Sequence, residues 1–343
     1  MNQKNRLILR RAASRKIMED FFEKEVVPRY YPKAELVSFQ LKDQSAYQFK
    51  KAVRYTLGLR YPNGEIIEKI VRGNVPSRHQ TWEITVSDQA LNYLYQHGFD
   101  RGKYQVTRPL GHYPSRRLQL YEEYPGDILS DLIKKGKGDL KKSVLLAANW
   151  TAEFHNLKAK IGRVKTLKAI REDMSHFIKN YGRHSLKVQA DGKKILEHFY
   201  AAVQKQYHPK KSGLIHGDLN ANNIVINKNQ VGVIDFGNAW RFDPLCEIAN
   251  YLVQLELISW RSEVSPRLVD KLNAIFLKNY LQKTKQNNNR LAEKRIDLWK
   301  VWWMMQITAF ACSIFIDSKK NRADLNRTIV RHTIPRSKSL LNL

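Results

Sequence analysis

The chain has 343 residues, and its 60 Lys and Arg against 32 Asp and Glu give a formal net charge of +28 at pH 7. This length is enough for one large or two moderate domains, each with a core of its own. Such a basic surface attracts nucleic acid, anionic membranes or acidic substrates, although a generally solvated surface has the same composition. The two cysteines, Cys246 and Cys312, form no C-x-x-C pair, so the sequence indicates neither a zinc cluster nor a disulfide framework and favours a reducing cytoplasm.

The amino-terminal segment, residues 1–16, is basic and contains no acid, but it lacks the long apolar core of a secretory signal. A transit peptide is one interpretation of it. The other is a lead into a first helix over Ser14–Glu25, in which Ile17, Met18, Phe21 and Phe22 share one face.

A β-hairpin is predicted next, because residues 52–61 alternate between apolar and polar, a Pro-Asn-Gly-Glu turn follows, and residues 66–71 return. Lys69 lies in the middle of the returning strand. From the alternation alone, it is either the solvent-facing member of a half-buried strand or a functional cation. Lys50 and Lys51, on the preceding strand, are the other candidate cations.

An apolar stripe predicts a helix over Trp82–His97, and this helix carries two acids, Glu83 and Asp88. Either acid could also be a charge favoured by the helix dipole. The strand that begins at Leu118 stops sharply at a Pro-Gly turn.

This turn predicts the boundary between an amino-terminal lobe, residues 1–123, and a carboxyl-terminal lobe, residues 124–343. Beyond it, the apolar period predicts a long helix over Leu140–Leu157, with His155 as a packed or capping residue near its end. The uncharged run Val301–Ile316 is shorter than the ~20 residues of a spanning helix, so it is interpreted as a buried helix.

The most informative stretch runs from Leu214 to Gly237 and contains H-G-D-L-N-A-N-N followed by I-D-F-G. Its apolar runs predict a hairpin after the polar loop, and closure of that hairpin is expected to carry Asp235 beside Asn223. Asp218, Asn223 and Asp235 would then converge at one end of a small sheet. Carboxylate and amide oxygens suit Mg²⁺, and phosphoryl transfer requires such an arrangement.

The pattern H-G-D-x-x-x-x-N followed by I-D-F-G resembles the aminoglycoside phosphotransferase and choline kinase-like family, small-molecule relatives of the protein kinases. The resemblance implies an α+β, two-lobed protein kinase-like fold with a small antiparallel-sheet N-lobe and a larger, mainly helical C-lobe. It also implies ATP and Mg²⁺ as cofactors.

By motif position, the resemblance assigns proton acceptance from the substrate hydroxyl to Asp218 and metal binding to Asn223 and Asp235. His216 would support the loop by hydrogen bonding, and Asn220 is a further catalytic candidate.

In the amino-terminal lobe, the resemblance assigns the nucleotide-binding lysine to Lys69 and its acidic partner to Glu83 or Asp88. Backbone groups of Glu122, Glu123 and Tyr124 would contact the adenine edge.

The sequence also departs from the pattern of the family that it resembles. The loop expected over the phosphates, Leu41–Ala46, contains no glycine, and no long activation segment precedes Asp243-Pro244. Both features favour the small-molecule branch and a constitutively assembled site. Glu247 stands where relatives usually have Asp, and Asn222 occupies a loop position where Gly is frequent, so a left-handed backbone is expected there.

Three functions are compatible with the sequence. The first is an ATP-dependent kinase acting on a hydroxyl of a small molecule, neutral or anionic rather than an aminoglycoside because the large lobe is poor in acids. The second is a sugar or glycolipid kinase docked on an anionic membrane through basic tails. The third is a catalytically degenerate kinase fold that acts as a nucleic-acid binding or scaffold protein. A cytoplasmic monomer or homodimer is expected.

Two features of the carboxyl-terminal lobe bear on the acceptor. Four tryptophans, Trp260, Trp299, Trp302 and Trp303, could surround a cationic acceptor such as choline, although their spacing is more typical of a core. The basic tail after Asp317 is either a docking segment for phosphate-rich partners or a flexible solvated surface.

Overall fold

The computed structural model describes residues 12, 14–47, 50–76, 81–157, 159–182, 184–207, 212–261, 263–285, 289–314 and 320–343. The chain divides into two compact units: Met1–Gly126 with Gly232–Ala239, and Asp127–Val231 with Trp240–Leu343. The first division falls close to the boundary expected after Glu123. The second division assigns the segment that carries Asp235 to the first unit.

The first unit contains a five-stranded antiparallel sheet with helices before and after its first strands. Numbered along the chain with the ranges that follow, the strands of this sheet lie in the order β1-β2-β3-β6-β5. Its elements are α1 (Arg15–Phe21), a π-helical turn (Phe22–Val26), α2 (Val27–Tyr30), β1 (Glu35–Tyr47), β2 (Lys50–Arg60), β3 (Ile66–Pro76), α3 (Thr81–Leu94), β4 (Tyr104–Val106), β5 (Pro109–Tyr113) and β6 (Leu118–Glu122).

One face of this sheet forms the core of the unit. Tyr55 pairs with Val71 across β2 and β3, and both side chains are fully buried with Phe21 and Phe22 of the amino-terminal helices. Because side chains alternate along a strand, every second residue from Val71 points to this core face and the others point away from it. We call the opposite side of the sheet the inner face.

The second unit is mainly helical. Its elements are β7 (Asp127–Ile128), α4 (Leu129–Lys135), α5 (Leu140–Asn156), α6 (Leu167–Tyr181), α7 (Leu186–Gln206), β8 (Gly213–Ile215), β9 (Ile224–Asn227), the start of β10 (Gln230–Val233), β11 (Trp240–Phe242), α8 (Pro244–Trp260), α9 (Pro266–Lys283), α10 (Asn289–Ile314) and α11 (Lys320–Leu340). Two short pairings, β7 with β9 and β8 with β11, frame the loop that follows β8.

The core of this unit is built from aromatic side chains of α8 and α10. Trp299, Trp302 and Trp303 are all nearly inaccessible to solvent. The cation over the Trp302 ring is the chain's own Lys165, whose Nζ lies 4.9 Å from that ring centroid and 3.6 Å from that of Trp240. These tryptophans are core residues, as their spacing favours, and not an open cage for a cationic acceptor.

Two expectations about flexible segments differ from the structure. Leu41–Ala46, expected to be a loop over the phosphates, lies within β1, because β1 and β2 form a hairpin longer than predicted. The expectation of a flexible tail is also wrong, since α11 buries Ile329, Val330 and Ile334 and joins Thr333 to Thr308 of α10 by a hydrogen bond of 2.6 Å.

Within the described ranges, none of the helices combines the length and the apolarity needed to cross a membrane.

Candidate active site

The loop after β8 holds its polar side chains in a compact hydrogen-bonded cluster. Asn220 Nδ2 donates to Oδ1 of Asp218 at 3.0 Å, and Asn223 Nδ2 lies 3.3 Å from Oδ2 of the same carboxylate. Both amides also donate to the Asp218 carbonyl, at 3.0 and 2.8 Å. The structure therefore brings three predicted site residues together and orients the Asp218 carboxylate from both sides.

The backbone of the same loop is held at the residues before Asp218. His216 is fully buried, and its Nδ1 accepts the Asp218 N–H at 3.3 Å. Gly217 has φ +78°, a left-handed conformation that glycine adopts at little cost. Asn222 has no positive φ, contrary to expectation, and its Oδ1 instead accepts the Ser130 hydroxyl at 2.7 Å.

A buried relay connects this loop to the helices beneath it. Glu247 Oε1 accepts the Gly217 N–H at 2.9 Å, and Oε2 lies 2.8 Å from His155 Nε2. Because a carboxylate only accepts, Nε2 carries a proton, and in the neutral ring Nδ1 accepts the Tyr280 hydroxyl at 2.9 Å. His155 is thus a packed residue in this relay, and its link to the loop through Glu247 was not predicted.

The start of α8 is fixed by a second buried carboxylate. Asp243 caps the helix by accepting the Leu245 N–H at 3.1 Å, and Pro244 occupies the first turn. Asp243 Oδ2 accepts from Arg295 at 2.5 Å and from Trp299 Nε1 at 2.8 Å. These contacts anchor the helix that presents Glu247 to the loop.

Asp235 lies in the first unit, in a strained backbone conformation with φ +64°. It lines a pocket with about 230 Å³ of empty space, whose other lining residues are Asn74, Pro76, Glu83, Ile84, Ser87, Gln119 and Gly237. Of the two candidate acids on α3, Glu83 therefore lies with Asp235. Asp88 does not line this pocket, and burial raises the pKa of its carboxyl.

One residue that lines this pocket, Gln119, has a buried side-chain amide without hydrogen-bond partners. Gln119 is 1% exposed, and neither its Oε1 nor its Nε2 has a hydrogen-bond partner. Asn74 pairs with Gln119 across β3 and β6, so both side chains project from the inner face. A buried amide without partners costs free energy, so the pocket is suited to a polar ligand.

Lys69 lies elsewhere. It pairs with Leu57 across β2 and β3, which places its side chain on the core face. There its Nζ lies 3.5 Å from Glu122 Oε2, while Arg108 and Tyr31 contact Oε1 of the same carboxylate. Lys69 therefore does not share a face with Asn74, Gln119 or the pocket. The side chains of Lys50 and Lys51 are outside the described residues.

The segment expected to contact adenine continues β6. The Glu123 N–H donates to the Ile70 carbonyl at 2.8 Å, and the Glu123 carboxylate contacts both Arg54 and Arg72. The Tyr124 ring packs directly on the backbone of Gly232, where an added Cβ would lie 2.5 Å from the ring. The absence of a side chain at position 232 is thus required by the placement of Tyr124.

Because Asp235 belongs to the first unit and Asp218 and Asn223 to the second, their predicted convergence stays a prediction. Across the described residues, no group of three or more His, Cys, Asp or Glu side chains forms a metal site by itself.

The sequence did not predict Asn74, Gln119 or the relay from Glu247 to Tyr280. The alternation of β3 could have revealed Asn74, since Val71 and Val75 mark the face opposite to it.

The two units and the polar loop around Asp218 are compatible with a phosphotransferase of the kinase-like class, and the comparison with known families decides the point. A family model described as the phosphotransferase enzyme family (APH) matches residues 75–285. Since this is more than half of the chain, the protein belongs to that family and is a kinase with an alcohol group as acceptor. No curated protein sequence matches the chain significantly.

Solved structures confirm the α+β kinase-like fold. A choline kinase from Cryptosporidium parvum Iowa II is 14% identical, with a TM-score of 0.64 over 96% of this chain and 97% of that one. Amicoumacin kinase hAmiN, in complex with AMP-PNP, Ca²⁺ and Ami, is 14% identical, with a TM-score of 0.61 over 94% and 96%. The GDP complex of aminoglycoside 2'-phosphotransferase-IIIa is 14% identical, with a TM-score of 0.60 over 94% and 99%.

Proposed function

We propose that the protein transfers the γ-phosphoryl group of ATP to a hydroxyl of a small molecule, with Asp218 as the group that accepts the hydroxyl proton. The observation that carries this proposal is the clamped carboxylate of Asp218, held by Asn220 at Oδ1 and by Asn223 at Oδ2. A carboxylate fixed in this way can orient a hydroxyl for in-line attack. Positioning accounts for most of the catalysis in phosphoryl transfer.

The buried relay supports the same role. Glu247 fixes the Gly217 N–H, and the Asp218 N–H is fixed by His216, so the backbone on both sides of the Gly217–Asp218 peptide is held. A catalytic base must lie within hydrogen-bond distance of the substrate proton that it accepts, so a backbone held by these hydrogen bonds favours that role. His216 and Glu247 therefore act as positioning residues, and Asp218 is the residue that touches the substrate.

The residues present also fit a nucleotide with Mg²⁺. Asn223 donates through Nδ2 to Asp218, which leaves its Oδ1 as the atom suited to a hard cation. We assign metal binding to Asn223 and Asp235, and nucleotide contact to Glu83 and the backbone of Glu122, Glu123 and Tyr124. When bound, Mg²⁺ neutralises charge on the phosphate oxygens. The AMP-PNP and GDP held by the similar solved kinases support a nucleoside triphosphate as donor.

For the acceptor, charge favours a neutral or anionic molecule. Arg241 on β11 pairs with Leu214, in the strand that leads to Asp218, and its backbone bonds to Arg163 and Lys165. The Lys165 ammonium is paired with Asp173 at 2.6 Å and covered by the Trp240 ring, so Arg163 and Arg241 supply the positive charge next to the strand that delivers the catalytic loop. A polycationic aminoglycoside would meet like charge there, whereas a sugar or a phosphorylated metabolite would not.

The test is ADP release with MgATP across a panel of neutral, anionic and cationic hydroxyl acceptors. The wild type should turn over a neutral or anionic acceptor, and Asp218→Asn should lower kcat by about 10²–10⁴ because general-base catalysis is lost. Asp270→Asn, the same change at an exposed position of α9, is the matched control. Equal and low ADP release from all three proteins would contradict the proposal.

A membrane-docked kinase is the alternative with specific structural support. The solvent-exposed side of α11 carries Arg327, Arg331 and Arg336, while its apolar side is buried. Sedimentation with phosphatidylserine vesicles tests it: docking predicts binding that disappears at high salt and is weakened by replacing the three arginines with Gln. Salt-independent binding, or none, would contradict docking through these arginines.

A further inference from the structure

A row of three cations crosses the inner face of the first-unit sheet. Lys42 on β1 pairs with Arg54 on β2, and Arg54 pairs with Arg72 on β3. Residues that are direct cross-strand partners project to the same side of a sheet, so the three side chains share the inner face with Asn74 and Gln119. We call Lys42, Arg54 and Arg72 the cation row.

The three positive charges of the cation row repel one another and destabilise the sheet unless an anion lies between them. Like charges on directly opposed strand positions destabilise a sheet. Glu123 compensates two of the three, since its carboxylate contacts Arg72 and lies 3.3 Å from both Arg54 Nε and Arg54 Nη2. Lys42 is exposed at the end of the row. One carboxylate in contact with the row, against its three cations, leaves the cation row itself net positive.

The neighbouring row contains the pocket but no cation. Asn74 follows Arg72 on the same face of β3, and the residues that line the pocket with Asp235 include no Lys or Arg. Lys69, the only lysine of β3, points to the core face and contacts Glu122. Among the side chains that the structure describes, the inner-face cations nearest to Asn74 are therefore those of the cation row; the side chain of Lys50, whose backbone pairs with Pro76, is outside the described residues.

We propose that the cation row binds the polyphosphate chain of the nucleotide in place of a single lysine on β3, with Glu123 as a counter-ion that the phosphates displace. This proposal rests on the function proposed above and names which side chains hold its donor substrate. Guanidinium groups form paired hydrogen bonds with phosphate oxygens, and two adjacent arginines can follow a chain of phosphates. Exchange of one anion for another keeps the arginines paired in both states.

The decisive experiment measures affinity for AMP, ADP and ATP by calorimetry on the full chain. In the wild type, affinity should rise with each added phosphate. Arg72→Gln and Arg54→Gln should each weaken ATP binding about tenfold or more, and the double variant should bind the three nucleotides with nearly equal affinity. Lys69→Gln is the matched control in the same strand and should stay within about twofold of wild type.

Two further variants keep the result interpretable. Arg72→Lys retains the charge but not the paired geometry, so it should recover part of the lost ATP affinity. Glu123→Gln removes the competing carboxylate, so it should tighten ATP binding severalfold while its backbone N–H is unchanged. Circular dichroism of each variant shows whether the sheet has folded.

The outcome that overturns the proposal is an Arg54→Gln/Arg72→Gln variant that folds and retains the phosphate dependence, with the loss appearing in Lys69→Gln instead. Failure of the function itself is distinguishable from this. In that case the wild type would neither bind ATP nor release ADP with any acceptor, whereas failure of the cation row alone leaves wild-type turnover intact.

Discussion

The catalytic loop and the inner face of the sheet place their functional side chains by different means. In the loop, Asp218, Asn220 and Asn223 contact one another within a few residues of chain. On the inner face, Lys42, Arg54 and Arg72 come from three strands and meet only because the strands pair in one register. A motif can specify the first arrangement by spacing alone, whereas the second depends on which way each strand faces.

This difference has a direct consequence for β3. A shift of one position along a strand moves a side chain to the other face of the sheet. Lys69 and Arg72 are both basic residues of one strand, yet Lys69 contacts Glu122 on the core face and Arg72 contacts Glu123 on the inner face. Basic character and a plausible strand are therefore insufficient to identify a nucleotide cation.

The largest expected effect comes from the anchor of the catalytic loop. Glu247→Ala removes the acceptor of the Gly217 N–H and the partner of His155, both fully buried. Loss of one partner in such a buried cluster costs about 3–5 kcal/mol of unfolding free energy. Urea unfolding measures the loss of unfolding free energy. The value of kcat should also fall, because the backbone before Asp218 is no longer held by the Gly217–Glu247 hydrogen bond.

Glu247→Gln is the matched variant. Its amide can still accept from Gly217, and its NH₂ can donate to Nε2 if His155 changes tautomer and donates to Tyr280 from Nδ1. The unfolding free energy should then stay within about 1–2 kcal/mol of wild type. If Ala and Gln destabilised equally, the hydrogen bonds would not be what holds the loop.

Much of the second unit and the motif could be predicted from sequence, while the assembly of the inner face could not. The helix over Leu140–Asn156 follows from the apolar period, and its observed bounds match the predicted Leu140–Leu157 to within one residue. Lys69, by contrast, was assigned from its distance to a turn. The apolar alternation through Val71 and Val75 places Lys69 on the same face as these valines, away from the pocket. That placement argues against Lys69 only once the valine face is known to be the core face.

Two other features depend on tertiary contacts. The segment Gly232–Ala239 belongs to the first unit, and a Cβ added at Gly237 would lie 3.7 Å from Glu83 Cβ, while the convergence of Asp235 with Asn223 stays a prediction. The basic tail is polar in composition, yet Thr333 and Ser337 are buried in α11 together with its few apolar residues. A helix whose buried side is partly polar has a weak apolar stripe, so the sequence pattern does not reveal it.

The next effect in size tests the inner region of the first unit. Gly232→Ala places a Cβ 2.5 Å from the Tyr124 ring, so the ring must move. Overpacking of this kind costs about 1–3 kcal/mol, and movement of Tyr124 should also weaken ATP binding. Gly213→Ala is the control, because its Cβ would meet Pro244 at an ordinary 3.7 Å. Equal stability of the two variants would contradict the packing of Tyr124 on the strand.

A smaller effect is expected at the far end of the loop anchor. Tyr280→Phe deletes the hydroxyl bonded to His155 Nδ1 but leaves the ring packed. The expected loss of unfolding free energy is about 1 kcal/mol, and ADP release should change little because Glu247 still holds Gly217. A loss as large as that of Glu247→Ala would show that the relay acts as one unit and not as a series of separable bonds.

The smallest expected effect distinguishes Asp88 from Glu83 on α3, and it is a gain in stability where the preceding variants lose it. Burial raises the pKa of the Asp88 carboxyl above its ordinary value of 3.8, an effect that nearby His112 partly offsets, and Oδ1 has no hydrogen-bond partner. At neutral pH the raised pKa means that the folded protein stabilises the Asp88 carboxylate less than the unfolded chain does, so Asp88→Asn should raise the urea midpoint at pH 7.

The pH dependence of this gain is the sharper part of the test. Below pH 3.8 the carboxyl is protonated in both the folded and the unfolded chain, so the difference between Asp88→Asn and wild type should disappear as the pH falls towards that value. Glu83→Gln, at the acid that lines the pocket with Asp235, should instead weaken ATP binding. If Asp88→Asn weakened ATP binding and Glu83→Gln did not, the assignment of the two acids on α3 would be reversed.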